Sequence, residues 1–237
     1  MEFDVAILGG GSAGYAAAST AQSYGAKVAI VDPGPLGGLC ILRGCMPTKT
    51  ILRSSDILSL MRRAKEFGLI PVEPVANLAA INDRKNRLIA EFTDYRVKQL
   101  KDSRFTLIQE KAEFISSNEI QIGSKTLKAN KFIIATGSIV ANYPIPGLEE
   151  TGFVTSDDIL TMREAPESII VLGAGAVAVE LAQFFLRIGT SVTLIQRSGH
   201  ILSQGDEDLA RPVENRFREE GMNLFTGTKI VKAVREN

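Results

Sequence analysis

The chain holds two cysteines, Cys40 and Cys45, five positions apart, and a single histidine, His200, far from both. Two thiols this close in an otherwise cysteine-free chain suit either a redox-active dithiol or a metal site. The metal reading lacks ligands, because no further thiols remain and His200 is remote in sequence, so no metal is expected. A secreted disulfide scaffold would need more cysteines spread through a shorter chain. Gly44 and Pro47 place a helix start near Cys45, since proline is tolerated in a first helical turn. A cysteine there has its thiolate stabilised by unpaired amides, which favours redox chemistry. Apolar positions Ile51, Leu52, Ile57, Leu58, Leu60 and Met61 carry this helix to about Phe67. Cys40 lies one irregular turn earlier, near enough in sequence to close a small ring with Cys45.

The elements that must position these thiols are written twice. Ile7-Leu8-Gly9-Gly10-Gly11-Ser12-Ala13-Gly14 matches Val171-Leu172-Gly173-Ala174-Gly175-Ala176-Val177-Ala178 at an offset of 164 residues. Gly25 then meets Gly189, Val28 meets Val192, and Ile30 meets Leu194. Each copy reads apolar strand, glycine turn, apolar helix, glycine stop, apolar strand, which is a βαβ unit. The first glycine permits a tight turn and the second lets the backbone approach a pyrophosphate. A small third residue lets helix and strand pack closely, and the helix N-terminus aims free amides at the phosphates. Both copies have the strand–turn–helix context that gives this spacing its meaning.

The residues closing the second strand of each copy differ. Asp32, 18 positions past Gly14, offers a carboxylate to an adenosine ribose. The second copy has Gln196 there, followed by Arg197. Gln196 removes the charge that would repel a 2′-phosphate, and Arg197 supplies a guanidinium that could bind one. The second site therefore leans towards NADPH, with NADH possible. The plainer alternative makes Arg197 a solvated loop residue.

The run Gly37-Gly38-Leu39-Cys40-Ile41-Leu42-Arg43-Gly44-Cys45-Met46-Pro47-Thr48-Lys49 resembles the active-site motif of the class I pyridine nucleotide–disulfide oxidoreductases, the group of glutathione reductase, dihydrolipoamide dehydrogenase and mercuric reductase. The likeness takes in Gly9–Gly14, Ile133–Ser138, Pro146-Gly147 and the second glycine motif. It implies an α/β protein of two Rossmann-like dinucleotide-binding domains, with FAD on residues 1–150 and the start of an NAD(P)H domain on 151–237. It also implies roles. Cys45 would face the flavin and Cys40 would exchange with a substrate disulfide. Lys49 would sit by the flavin and pair with Glu180. Gly9, Gly11, Ser12, Ala13, Gly14, Asp32, Gly38, Ala112, Thr136 and Gly137 would contact FAD. Gly173, Gly175, Ala176, Val177, Gln196 and Arg197 would hold the nicotinamide nucleotide. Without that likeness, Lys49 and Glu180 read as surface charges and Thr136-Gly137 as a strand-ending turn.

Three departures stand out. Leu39 and Leu42 replace the family's usual threonine and asparagine. Ala176 replaces the tyrosine that covers the flavin in glutathione reductase, leaving no such gate. Family members also run about twice this length, so the second domain is expected to be incomplete and the C-terminal dimerisation domain absent. A longer parent would be a homodimer, and the chain alone would lack a complete catalytic site. Two other function classes remain open: a non-catalytic flavin- and nucleotide-binding fragment, and a flavoprotein reducing quinone-type acceptors without the dithiol.

Lysine plus arginine equals aspartate plus glutamate, 27 each, so no net field favours nucleic acid or an acidic membrane surface. No apolar run approaches a membrane span, and Met1-Glu2-Phe3-Asp4 has no basic region of a secretory signal. A cytoplasmic enzyme acting on a small-molecule disulfide or other oxidised acceptor is expected. Between the motifs, a break at Pro71–Pro74 separates the thiol helix from a second helix over about Leu78–Leu100. Phe105–Ile115, Glu119–Ile122 and Phe132–Ala135 read as strands, and residues 150–168 as the crossover to the second domain.

Overall fold

The computed structural model describes residues 1–141 and 143–235. The chain divides into two compact units, residues 1–47 with 86–139, and residues 48–85 with 140 onward.

In the first unit, β1 (Glu2–Leu8) lies parallel to β2 (Val28–Val31) and to β6 (Lys125–Ile134). β3 (Thr106–Ile108) extends the parallel sheet beyond β2. β5 (Glu119–Ile122) and β4 (Ala112–Ser116) add antiparallel strands on the far side, giving the order β3-β2-β1-β6-β5-β4. Parallel β1 and β2 need a crossover, and α1 (Ser12–Ser23) supplies it. All four residues of β2 are buried, as expected of a parallel strand covered on both faces. Side chains alternate accordingly. Ile7, Val28 and Ile30 join Ala18 of α1 and Leu100 in one core, whereas Ala6, Leu8, Ala29 and Val31 join Ile120, Ile122 and Leu127 in another.

Two helices are shared by the units: α3 (Cys45–Arg62), preceded by the short α2 (Gly38–Leu42), and α4 (Leu78–Leu100).

The second unit is a parallel sheet of β7 (Ser168–Leu172), β8 (Ser191–Ile195) and β9 (Asn223–Phe225), in that order. α6 (Ala176–Ile188) crosses from β7 to β8, and α7 (Glu207–Glu219) from β8 to β9. Phe184, Phe185, Val192, Leu194, Ile201 and Phe217 make its core, joined by Ile51 of α3 and Leu78 of α4. The crossover segment carries α5 (Ser156–Ile159), opened by a capping box between Thr155 and Asp158. Lys85 is buried and donates to the Leu160 carbonyl, while Asn82 donates to Met162 at 2.5 Å, so α4 caps the end of α5.

Four expectations need correction. Phe105–Ile115 is two strands, because β3 pairs with β2 and β4 with β5, and the chain must change partners across Gln109-Glu110-Lys111. The strand expected over Phe132–Ala135 begins seven residues earlier, at Lys125, since β5 pairs with its first half. The thiol helix stops at Arg62 and gives way to a 3-10 turn over Ala64–Phe67, ended by Gly68 at φ +73°. Cys40 sits in a short helix rather than an irregular turn. Among the described residues, no helix is long and apolar enough to cross a membrane.

Candidate redox and nucleotide sites

The first glycine turn is closed by close backbone contacts. Gly9 adopts φ +104°, and a Cβ there would lie 2.3 Å from the Ala135 carbonyl oxygen and 3.2 Å from Thr136 Cα. The Thr136 backbone is thus brought against the turn. A Cβ on Gly14 would lie 1.8 Å from the Gly9 carbonyl oxygen, so only glycine lets α1 start this close to β1. Gly11 differs: its φ is −67° and its nearest neighbour would be Gly38 Cα at an ordinary 3.5 Å. The missing side chain at Gly11 leaves a cradle that the protein itself does not fill.

Asp32 at the end of β2 is buried. Its Oδ2 accepts the Gly10 N–H at 2.6 Å and its Oδ1 the Gly34 N–H at 2.7 Å. Carboxylate oxygens have further lone pairs, so two hydroxyl donors could still be accommodated. Gly137 follows at φ +77° with open space around it. Ala112 opens β4, four residues after Ile108, whose carbonyl accepts the Asp32 N–H.

Gly38 delivers the thiols. Its Cβ would fall 2.4 Å from Gly11 Cα, so the first residue of α2 abuts the N-cap of α1. Both cysteines are free thiols, Cys40 half-buried and Cys45 exposed, and they are neighbours close enough to influence each other's ionisation. Burial pushes the Cys40 thiol above its ordinary range, and the neighbouring Cys45 thiol pushes it the same way. The nearby Cys45 backbone N–H and Ser12 hydroxyl favour the Cys40 thiolate and oppose that rise. Ser12 was foreseen as a phosphate ligand of the glycine turn; its contact with a thiol was not. No local sequence signal could have shown it, because Ser12 and Cys40 lie on separate helices.

One turn after Cys45 on α3, Lys49 Nζ donates to Glu180 Oε1 of α6 at 2.5 Å. The side chains are 59% and 30% exposed, so the pair contributes no more than about 1 kcal/mol to stability. Its use is to hold the amine in one place. A second clamp follows seven residues along both helices. Arg187 of α6 donates to Asp56 of α3 at 2.5 Å and to both carboxylate oxygens of Glu220 at 2.9 and 3.0 Å. Arg216 adds a 2.8 Å bond to Glu220, and Arg62 donates to the Arg187 carbonyl at 2.7 Å. The equal spacing from Lys49 to Asp56 and from Glu180 to Arg187 was visible in the sequence as paired, opposite charges. It carried no meaning until the two helices were known to run side by side.

In the second turn, Gly173 (φ +87°) and Gly175 have nothing within 4 Å of an added Cβ. Ala176 opens α6 and Val177 is exposed beside it. Gln196 is buried, its Nε2 donating to Ser203 at 3.2 Å. Arg197 is exposed, with the Tyr143 ring 5.7 Å from its guanidinium carbon. His200 follows in the same loop, its Nδ1 paired with the Ile201 carbonyl.

Both glycine helices begin at a glycine N-cap with no side-chain cap. Their first amides and the Cβ-free cradles at Gly11 and Gly175 fit a bound pyrophosphate at each turn. Among the described residues, no group of three or more His, Cys, Asp or Glu side chains could hold a metal ion.

The chain is 35% identical to a mercuric reductase of Staphylococcus aureus, over 98% of this chain and 42% of that protein. It is 33% identical to a dihydrolipoyl dehydrogenase of Acholeplasma laidlawii, over 98% of this chain and 70% of that protein. A solved structure, the Cu(II) complex of the HOCl-induced flavoprotein disulfide reductase RclA from Escherichia coli, matches with a TM-score of 0.82 at 25% identity, covering 98% of this chain and 51% of that one. The chain spans less than half of the mercuric reductase and about half of the solved structure. A family match covers residues 3–237, through both glycine turns and the thiol pair, and the chain belongs to the pyridine nucleotide-disulphide oxidoreductase family, whose members bind FAD and NAD(P).

Proposed function

We propose that residues 1–150 bind FAD, that residues 151–237 bind a nicotinamide nucleotide, and that the Cys40–Cys45 pair relays two electrons to an external acceptor. The observation that carries this reading is the pair of neighbouring free thiols, set beside the cofactor cradle by the Gly38–Gly11 contact. FAD, when bound, supplies a carrier that takes hydride from the nicotinamide and returns an electron pair to a disulfide. The amides of α1 with Gly9, Gly11, Ser12, Ala13 and Gly14 would hold its pyrophosphate, Asp32 its ribose, and Ala112 would lie by its adenine. Gly38, Thr136, Gly137 and Lys49 would line the rest, with Glu180 holding the Lys49 amine.

In the second unit, Gly173, Gly175, Ala176 and Val177 would hold the nucleotide pyrophosphate. Gln196 carries no charge to repel a 2′-phosphate and Arg197 supplies one to attract it, which favours NADPH over NADH.

The thiol chemistry balances in three exchanges. Two electrons break the Cys40–Cys45 bond and leave two reduced sulfurs. The Cys40 thiolate attacks one sulfur of an acceptor disulfide, whose other sulfur leaves as thiolate and takes a proton. Cys45 then attacks Cys40, releasing the second acceptor thiol and re-forming the internal disulfide. The net change is NADPH, a proton and a disulfide going to NADP⁺ and two thiols. The similarity to mercuric reductases makes a soft metal ion the second candidate acceptor, because two adjacent thiolates are soft ligands. A longer parent protein would work as a cytoplasmic homodimer.

The test is anaerobic titration of the purified, FAD-loaded chain with NADPH. Expected is a long-wavelength thiolate-to-flavin absorption band that Cys45→Ser abolishes, with acceptor reduction lost in Cys40→Ser. A chain that takes up no flavin would leave a fragment without redox function. Acceptor reduction surviving in Cys40→Ser would favour quinone-type chemistry and remove the thiols from the mechanism.

A further inference from the structure

One aromatic residue stands at the proposed nucleotide site without a part in it. The Arg197 guanidinium carbon lies over the Tyr143 ring, 5.7 Å from its centre. The tyrosine backbone is fixed there: Ile145 N–H donates to the Tyr143 carbonyl at 2.8 Å, and Ala233 N–H to the Pro146 carbonyl at 2.9 Å. A Cβ on Gly147 would lie 2.2 Å from the Ala233 carbonyl oxygen, so the two segments cross in backbone contact. Pro144 and Pro146 stiffen the segment further. Tyr143 remains 54% exposed and Arg197 is exposed. A stack between two exposed groups stabilises a fold little, so stability does not account for a tyrosine held this firmly.

The location does. Arg197 directly follows Gln196, whose buried side chain is held by Ser203 at the C-terminal end of β8. That is where the adenosine half of a dinucleotide lies when its pyrophosphate rests on the preceding βα turn. A guanidinium is planar and stacks on aromatic faces. With the Tyr143 ring beside it, the exposed Arg197 guanidinium offers a flat surface of the right size for an adenine. We propose that Tyr143 is a positioning residue for the adenine: it holds the Arg197 plane so that the base stacks on it. The proposal rests on reading Arg197 as a nucleotide residue. It goes further because Tyr143 acts on the base, which NADP⁺ and NAD⁺ share, and not on the phosphate that separates them.

The experiment is calorimetric titration of the chain and its variants with NADP⁺ and NAD⁺. Tyr143→Leu should raise both dissociation constants by a similar factor, about two- to fivefold, or roughly 0.4–1 kcal/mol. Tyr143→Phe keeps the ring and should bind like the parent. Arg197→Glu should weaken NADP⁺ much more than NAD⁺. Unchanged affinities in Tyr143→Leu overturn the proposal, as does a loss confined to NADP⁺. If Tyr143→Leu weakens both ligands while Arg197→Glu fails to discriminate, the stack stands and the phosphate assignment falls. No binding of either ligand to the parent chain overturns both.

Discussion

The two glycine turns share one pattern and are built to different tolerances. In the first, β1 is flanked on both sides by parallel strands, and the backbones around Gly9 and Gly14 approach so closely that any side chain would collide with a carbonyl. In the second, β7 has a strand on one side only among the described residues, Gly173 has nothing close to an added Cβ, and Ala178 stands where the first copy has Gly14. The strand-ending residues follow suit. Asp32 is tied by two charge-assisted backbone bonds, Gln196 by one bond to a serine hydroxyl. The second copy gains its order instead from α3, through Lys49–Glu180 and the Arg187 cluster. A glycine in this pattern therefore serves either the protein's own packing or the ligand's approach. Gly14 does the first, while Gly11 and Gly175, with no close neighbour, are proposed to do the second.

The sharpest way to break this contrast is Gly14→Ala. A Cβ at 1.8 Å from a backbone oxygen forces α1 off β1, at a cost above about 3 kcal/mol, and denaturant unfolding should show the first unit lost or severely weakened. Ala178→Gly should cost only about 1 kcal/mol, the helix-propensity difference. Equal losses in the two variants would mean that both turns are packed alike.

Asp32→Ala should cost about 3 kcal/mol, because one buried and one part-buried backbone N–H lose their carboxylate acceptor. Gln196→Ala, losing one 3.2 Å bond, should cost less than about 1 kcal/mol by the same measurement.

Arg187→Met tests where the second copy takes its order from. The Arg187 and Glu220 side chains are only 15% and 11% exposed, so leaving Glu220 with Arg216 as its one remaining cation should cost about 2–3 kcal/mol. Burial opposes ionisation of Glu220, yet Arg187 and Arg216 outweigh it and hold its carboxyl below the usual range. That contribution is complete above the unfolded value of about 4.3 and is lost as pH falls through the lower folded value. The variant should thus move the acid-unfolding midpoint upward, read by circular dichroism; an unmoved midpoint would show that the cluster stabilises nothing.

The smallest effect on stability, and the most informative for function, belongs to Gly11→Ala and Gly175→Ala. Both positions have ordinary negative φ and room for a methyl group, so stability should change by less than about 0.5 kcal/mol. Flavin retention should fall in Gly11→Ala and nucleotide affinity in Gly175→Ala. Unimpaired binding in either would show that the small residue there serves no ligand.

Much of this architecture was legible in the residues. The offset between the two copies predicted both βαβ units, and the helix over Leu78–Leu100 was read correctly at both ends, because the break at Pro71–Pro74 bounded its start. The family motif at Cys40–Lys49 pointed to the Lys49–Glu180 pair, which spacing alone left as two surface charges. Other elements went unread. α7 and β9 follow a loop without a recognisable motif, and the change of strand partner at Gln109–Lys111 depends on neighbours far along the chain.

The sequence by itself determined the local geometry: where the backbone must turn tightly, where a helix must begin, and how near one cysteine must stay to the other. Each of these is set by steric limits acting within a few residues. Only the tertiary structure decided that the Ser12 hydroxyl meets the Cys40 sulfur, that Arg187 joins α3 to α7, and that Tyr143 lies over Arg197. Such contacts join groups on separate elements, and their partners are fixed by how helices and strands pack, which no short stretch of sequence encodes.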